Sequence, residues 1–192
     1  MSRLPYSSSC RVLVAAVRAE PSDQAEQVTQ VLAGEPVEVE SVQEGWALVR
    51  TAYDYPGWVR VVALRASDAG EWLGPLRDGS VLEEARSFLG SPYLWGGLTR
   101  GGIDCSGLVH MAHRRLGRLV PRDADQQEIA GREVPADVLR AGHLVTYGNE
   151  AADHIAFWVG GGRILHACSS FGVVEEVEPP DLRGRRRCLI AL

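Results

Sequence analysis

No two cysteines of this 192-residue chain form a CxxC pair, and there are only four of them: Cys10, Cys105, Cys168 and Cys188. Zinc ribbons and disulfide scaffolds need closely paired ligands, so this spacing points to separate free thiols. Clustered positive charge is scarce as well. The net charge is -5, and the one basic run is Arg183, Arg185, Arg186 and Arg187. Nucleic-acid interfaces need broad basic patches, so no nucleic-acid partner is expected, and so short a run is expected to be a solvated edge beside a final strand. No apolar run approaches a membrane span. The stretch "VLVAAV" lies between Arg11 and Arg18 and is shorter even than the core of a secretory signal. With reduced thiols and no export signal, the expected compartment is the cytoplasm, with no membrane partner. The glycines of "WGGLTRGGIDCSG" lack the lysine and spacing of a phosphate loop. No internal repeat is visible.

What is present divides into two halves. Residues 11–66 are short apolar runs separated by turn residues, and in "VEVE" Val37 and Val39 alternate with Glu38 and Glu40 at the period of a half-buried strand. Several such strands at close spacing predict a small barrel over 1–66. Residues 67–79, rich in Gly, Asp and Pro without sustained period, are expected to be a linker. From residue 80 a helical spacing begins, with Val81, Leu82, Ala85, Phe88 and Leu89 running to a stop at Gly90.

The most informative stretch is "GGIDCSGLVHMAHRRLG", residues 101–117. Leu108, Val109, Ala112 and Leu116 follow Cys105 at helical offsets, which makes Asp104 the expected N-cap and puts Cys105 in the first turn. Unpaired N–H groups and the helix dipole there favour a thiolate, and the same N–H groups can hold a developing oxyanion. A lone cysteine in such a place is otherwise a small buried hydrophobe. A base decides between the two.

"DHIAFWVGGGRILHACSS" supplies it. Alternation on either side of "GGG" predicts a hairpin. If the three glycines form the loop, Val159 faces Arg163, Ala156 faces His166 and His154 faces Cys168. His154 and His166 then share a face as diagonal neighbours roughly 7 to 8 Å apart at the backbone. A two-residue turn would put them on opposite faces. A cysteine activated by a histidine that a third polar group orients is the general logic of thiol nucleophiles. Zinc is the rival use of one thiolate and two imidazoles, but metal-ligand spacings are absent, so no metal is expected. His110 and His113, three apart with no carboxylate motif nearby, are expected at the surface or an edge.

Residues 80–192 resemble the NlpC-type cell-wall cysteine peptidases through "GSPYLWGG", "GIDCSGLV", "VPRDADQQ", "DHIAFWVGGG" and "ILHA", in the family's order. Residues 1–66 resemble the bacterial SH3-like barrels fused to such enzymes, through "GEPVEV", "GWALV" and "YPGWV". The resemblance implies an α+β protein, an SH3-like β-barrel followed by a papain-like peptidase domain. It implies hydrolysis of the γ-D-glutamyl–diamino acid bond in peptidoglycan stem peptides or muropeptides, without a cofactor. Cys105 takes the place of the nucleophile, His154 of the base and His166 of the third polar residue. One branch of the family acts on fragments with a free N-terminal L-alanine, and there Asp104, Ser106 and Tyr55 match groups that hold the amine end, with Trp95 as a pocket wall. Murein recycling is the implied setting. Two other functions share these residues: an amidase or acyltransferase on the same core, and a wall-fragment binding protein without turnover.

Overall fold

The computed structural model describes residues 4–67 and 72–192; residues 1–3, and residues 68–71 of the expected linker, lie outside the described residues. Two compact units meet between Gly74 and Pro75.

The first unit has seven strands, β1 (Tyr6–Cys10), β2 (Val14–Arg18), β3 (Gln27–Leu32), β4 (Pro36–Gln43), β5 (Trp46–Thr51), β6 (Pro56–Arg60) and β7 (Leu64–Ala66). They form one antiparallel sheet in the order β3-β2-β6-β5-β4-β1-β7. Val37 and Val39 of β4 point into a core with Val17, Val31, Val49 and Val59, while Glu38 faces water. A single sheet can bury that many side chains against one another only by curling on itself. Gly57 lets β6 close onto β2: a Cβ there would stand 2.4 Å from Val17 Cγ1.

The second unit contains α1 (Val81–Arg86), β8 (Leu98–Thr99), β9 (Gly102–Ile103), α2 (Cys105–Arg115), α3 (Ala124–Ala130), β10 (Arg132–Glu133), β11 (Leu144–Tyr147), β12 (His154–Gly160), β13 (Arg163–Cys168), β14 (Gly172–Val177), α4 (Pro180–Arg183) and β15 (Arg186–Ala191). Strands β10-β15-β11-β12-β13-β14 form an antiparallel sheet, and α2 packs between that sheet and α1. Among the described residues no helix is long and apolar enough to cross a membrane.

Covering α2 on two sides overturns one expectation. His110 and His113 are not at the surface but 0% and 2% exposed. Each satisfies its Nδ1–H on a backbone carbonyl, Val120 O at 2.8 Å and Val109 O at 2.9 Å, and His113 stacks on Phe157. The arginine run is partly solvated beside the last strand, as expected, with Arg183 and Arg186 exposed, but its cations are paired. Arg183 and Arg186 converge on the buried carboxylate of Glu178, Arg187 pairs with Glu128, and Arg185 with Asp153. A buried glutamate requires such cations, because an unpaired charge there would cost several kcal/mol.

Burial, then the positive charges of Arg122 and Arg114, push the His110 imidazole down to about 3. The unfolded chain therefore takes up a proton below about pH 6.5 that the folded chain refuses, so this stability is complete above that pH and is lost as pH falls toward 3. Near pH 5 His110 contributes a slope of about 1.4 kcal/mol per pH unit. His110→Asn keeps a donor for Val120 O but does not titrate. Urea unfolding between pH 4.5 and 7 should show the substituted protein losing less stability with acid by about that slope; parallel curves would refute the assignment.

Candidate active site

The start of α2 is held by an unusual density of hydrogen bonds. Asp104 has the extended conformation of an N-cap and accepts from Gly107 N–H at 2.6 Å. Its Oδ2 accepts from Gly96 N–H at 2.7 Å, and both its oxygens receive the Arg122 guanidinium, at 2.9 and 2.7 Å. Arg122 is 1% exposed and also donates to Ser106 Oγ at 3.0 Å. Gln127 Nε2 ties the Ser106 carbonyl to that of Pro121. Gly107 makes room for the 96–97 loop, since a Cβ there would come within 2.4 Å of Gly97 O. Asp104 and Ser106 thus fix the turn from which Cys105 projects.

The base side is built by the β12–β13 hairpin. Phe157 faces Leu165 and Trp158 faces Ile164, but the last pair is Gly160 with Arg163, not Val159 with Arg163 as expected. The turn proper has two residues, Gly161 and Gly162, at φ 59° and 75°, values that favour glycine. Val159 is an extra residue in β12, a bulge that cancels the one-residue slip a two-residue turn would introduce. His154 and His166 consequently meet, with His154 Nε2 to His166 Nδ1 at 2.8 Å and the rings edge-on at 5.0 Å. His166 Nε2 continues to Glu176 Oε1 at 2.9 Å.

Cys105 is buried, and its sulfur accepts from the N–H groups of Ser106 and of Ile155, the residue after His154. The nucleophile candidate therefore lies against the first residues of the strand that carries the base candidate. Burial, then the Asp104 charge, push the thiol up to about 12, while burial, then His166 and Arg185, push His154 down to about 3. Both directions run against the sequence expectation of a resting thiolate and favour a thiol beside a neutral imidazole.

A cleft of about 480 Å³ opens beside the histidines, lined among others by Tyr93, His154, His166, Phe171 and Glu176. Tyr93 is half-buried, and burial followed by the Cys105 charge raises its pKa, keeping the phenol protonated. Trp95, expected as a pocket wall, is 56% exposed in the loop before β8 and is not part of that lining. Tyr55 belongs to the first unit, where it precedes β6, donates its N–H to Thr51 Oγ1 and lies 6.4 Å from the ring of Tyr53. Among the described residues no three His, Cys, Asp or Glu side chains converge as a metal site would require.

Sequence reasoning missed Tyr93, Arg122, Gln127 and Glu176. The first three stood inside the quoted motifs "GSPYLWGG" and "VPRDADQQ", but their partners are distant in sequence. For Glu176 the signal was register: two residues beyond the partner of His166, it is a diagonal neighbour on the next strand.

Residues 90–180 match the NlpC/P60 family. The second unit carries an NlpC/P60 domain. Residues 17–64 match the bacterial dipeptidyl-peptidase Sh3 domain, which accounts for the barrel. The chain is similar to the γ-D-glutamyl-L-lysine dipeptidyl-peptidase of Bacillus subtilis, 36% identical over 118 residues that cover 56% of this chain and 40% of that protein. It is similar also to the peptidoglycan endopeptidase RipB of Mycobacterium tuberculosis, 37% identical over 107 residues, 49% of this chain and 44% of that one. The chain thus spans less than half the length of these two relatives. The NlpC/P60 family protein of Bacillus cereus shares the fold over 97% of this chain and 63% of its own, at a TM-score of 0.58 and 20% identity. The structure of peptidoglycan hydrolase RipB superposes on 58% of this chain and 62% of its own, with a TM-score of 0.51 and 30% identity.

A neutral resting pair has a kinetic signature. Without substrate, alkylation of Cys105 by iodoacetamide at pH 7 should be slower than that of Cys168, which is less buried, and should climb only in strongly alkaline buffer. Peptide-resolved mass spectrometry reads this directly; rapid labelling of Cys105 at pH 6 would mean that the ion pair forms before substrate arrives.

Proposed function

We propose that the NlpC/P60 domain of this chain is a cysteine peptidase hydrolysing the γ-D-glutamyl–diamino acid bond of peptidoglycan stem peptides. The observation that carries this reading is the Cys105 thiol set against the strand of His154, with His154 hydrogen-bonded to His166 at 2.8 Å. The substrate class is drawn from the relatives' names. In the reaction, Cys105 Sγ bonds to the γ-glutamyl carbonyl carbon as its proton passes to His154, and the carbonyl oxygen becomes the oxyanion. Helix-terminal N–H groups and the protonated Tyr93 phenol are the candidates to hold that charge. Collapse breaks the C–N bond, the amine leaves with the proton from His154, and water activated by the same imidazole releases the acyl group from sulfur. Because the resting pair is neutral, proton transfer accompanies attack.

The finer reading is that the substrates are small fragments beginning with a free L-Ala-γ-D-Glu, met in the cytoplasm during murein recycling. It is supported by the Sh3 domain of dipeptidyl-peptidase type and by the name of the Bacillus subtilis relative. Incubation with L-Ala-γ-D-Glu-diaminopimelate should release free diaminopimelate, identified by mass, and Cys105→Ala should release none. Acylating the amine removes a charge-assisted hydrogen bond, so the N-acetylated tripeptide should lose about tenfold or more in kcat/KM. Equal rates would withdraw the free-amine reading. Cleavage at another bond would favour an amidase or acyltransferase, and tight binding without product would favour a binding protein.

Tyr93→Phe tests the oxyanion assignment separately. Loss of one such donor lowers kcat by about 100-fold or more, with KM nearly unchanged; a normal kcat would leave the oxyanion to backbone groups.

A further inference from the structure

Two hydrogen bonds in series fix a direction for the proton. His154 Nε2 meets His166 Nδ1 at 2.8 Å, and His166 Nε2 meets Glu176 Oε1 at 2.9 Å. An ionised carboxylate only accepts, so His166 Nε2 must carry the hydrogen that points to Glu176. With a single ring hydrogen, placed on Nε2, His166 has a bare Nδ1, which can only accept, so the hydrogen of His154 must sit on Nε2. Nδ1 of His154 is left as its one basic nitrogen. If the position of Glu176 held a donor instead, the chain would invert. His166 would carry its hydrogen on Nδ1, His154 Nε2 would become the acceptor, and Nδ1 would hold a proton and be useless as a base.

We propose that Glu176 is the positioning residue that sets the tautomers of both histidines and so makes His154 Nδ1 the general base. It touches no reacting atom. Its strand delivers it to this place because β13 and β14 pair His166 with Val174 and Ile164 with Glu176, which puts the glutamate diagonal to His166. Neighbouring Glu175 is engaged by Arg86 and Arg163, so the two consecutive glutamates have different partners. The side chain of Glu176 is 36% exposed and that of His166 is 3% exposed. The glutamate can thus be replaced without opening the core, while the imidazole it orients stays out of contact with bulk water. As His154 becomes imidazolium during attack, the carboxylate behind His166 also stabilises the positive charge that builds along the relay.

The inference rests on the cysteine-peptidase reading for its kinetic arm but not for its spectroscopic one. Three replacements are compared: Glu176→Gln, which can still accept from His166; Glu176→Ala, which neither accepts nor donates; and Glu176→Lys, which only donates. Thermal melts check that each folds. With L-Ala-γ-D-Glu-diaminopimelate, kcat should fall in the order wild type, Gln, Ala, Lys. Gln should stay within about threefold, Ala should drop about tenfold and Lys about 100-fold or more, as a general base's contribution is withdrawn, with KM nearly constant. Nitrogen-15 NMR of histidine-labelled protein near pH 7 should show His154 bare at Nδ1 in wild type and Gln, mixed in Ala and protonated at Nδ1 in Lys. The same tautomer in all four proteins would overturn the proposal whatever the substrate proves to be. The expected tautomers with no turnover of any peptide would instead leave the proposal standing and remove the peptidase reading.

Discussion

The second unit depends on one buried ion pair, Arg122 with Asp104. The two side chains are 1% and 7% exposed, and the guanidinium meets both carboxylate oxygens in parallel. Such a fork fixes angle as well as distance. Through it, three segments that are far apart in sequence are locked together: the glycine loop at 96–97, the first turn of α2, and the chain leaving α2 toward α3. Cys105 is adjacent to Asp104, so its position is set by this lock rather than by its own packing. Breaking one side of a buried pair leaves an uncompensated charge worth about 3 to 5 kcal/mol, so neither residue can change alone.

The same dry interior explains the electrostatics of the site. Water exclusion disfavours a thiolate, an imidazolium and a phenolate alike, and Cys105, His154 and Tyr93 are all shifted toward their neutral forms. Neutral groups do not steer one another by charge, so protonation in the resting site follows from hydrogen-bond direction. Elsewhere in the unit the cations are committed to carboxylates: Glu128 and Glu178 draw in the arginines of the C-terminal run.

What could be read in the sequence follows a physical divide. Local signals were legible: the alternation of "VEVE", the N-cap of Asp104, the helical spacing after Cys105 and the three glycines of the hairpin all act over a few residues. The expected alignment of His154 with His166 was also right in outcome, although the turn that produces it was not. Non-local facts were hidden. Nothing within ten residues of His110 tells that α1 and the sheet enclose it from both sides. Nothing near Arg183 tells that Glu178 is buried and in need of cations. Arg122 looked like any charged residue after a proline, because its partner lies eighteen positions earlier.

The bulge at Val159 has an implication for how such hairpins can vary. A two-residue turn and a one-residue bulge are complementary defects, and in a segment of this length each alone would rotate the strand by one face. Because they cancel, two arrangements of the same length preserve the alignment of His154 with His166: the present one, and a three-residue turn between unbulged strands. Loss of the bulged residue alone would also keep the histidines together, because a two-residue turn between regular strands retains the pairing of Trp158 with Ile164. The constraint therefore lies in that pairing rather than in the length of the segment, and a change at the tip is tolerated wherever bulge and turn together return the strands to it.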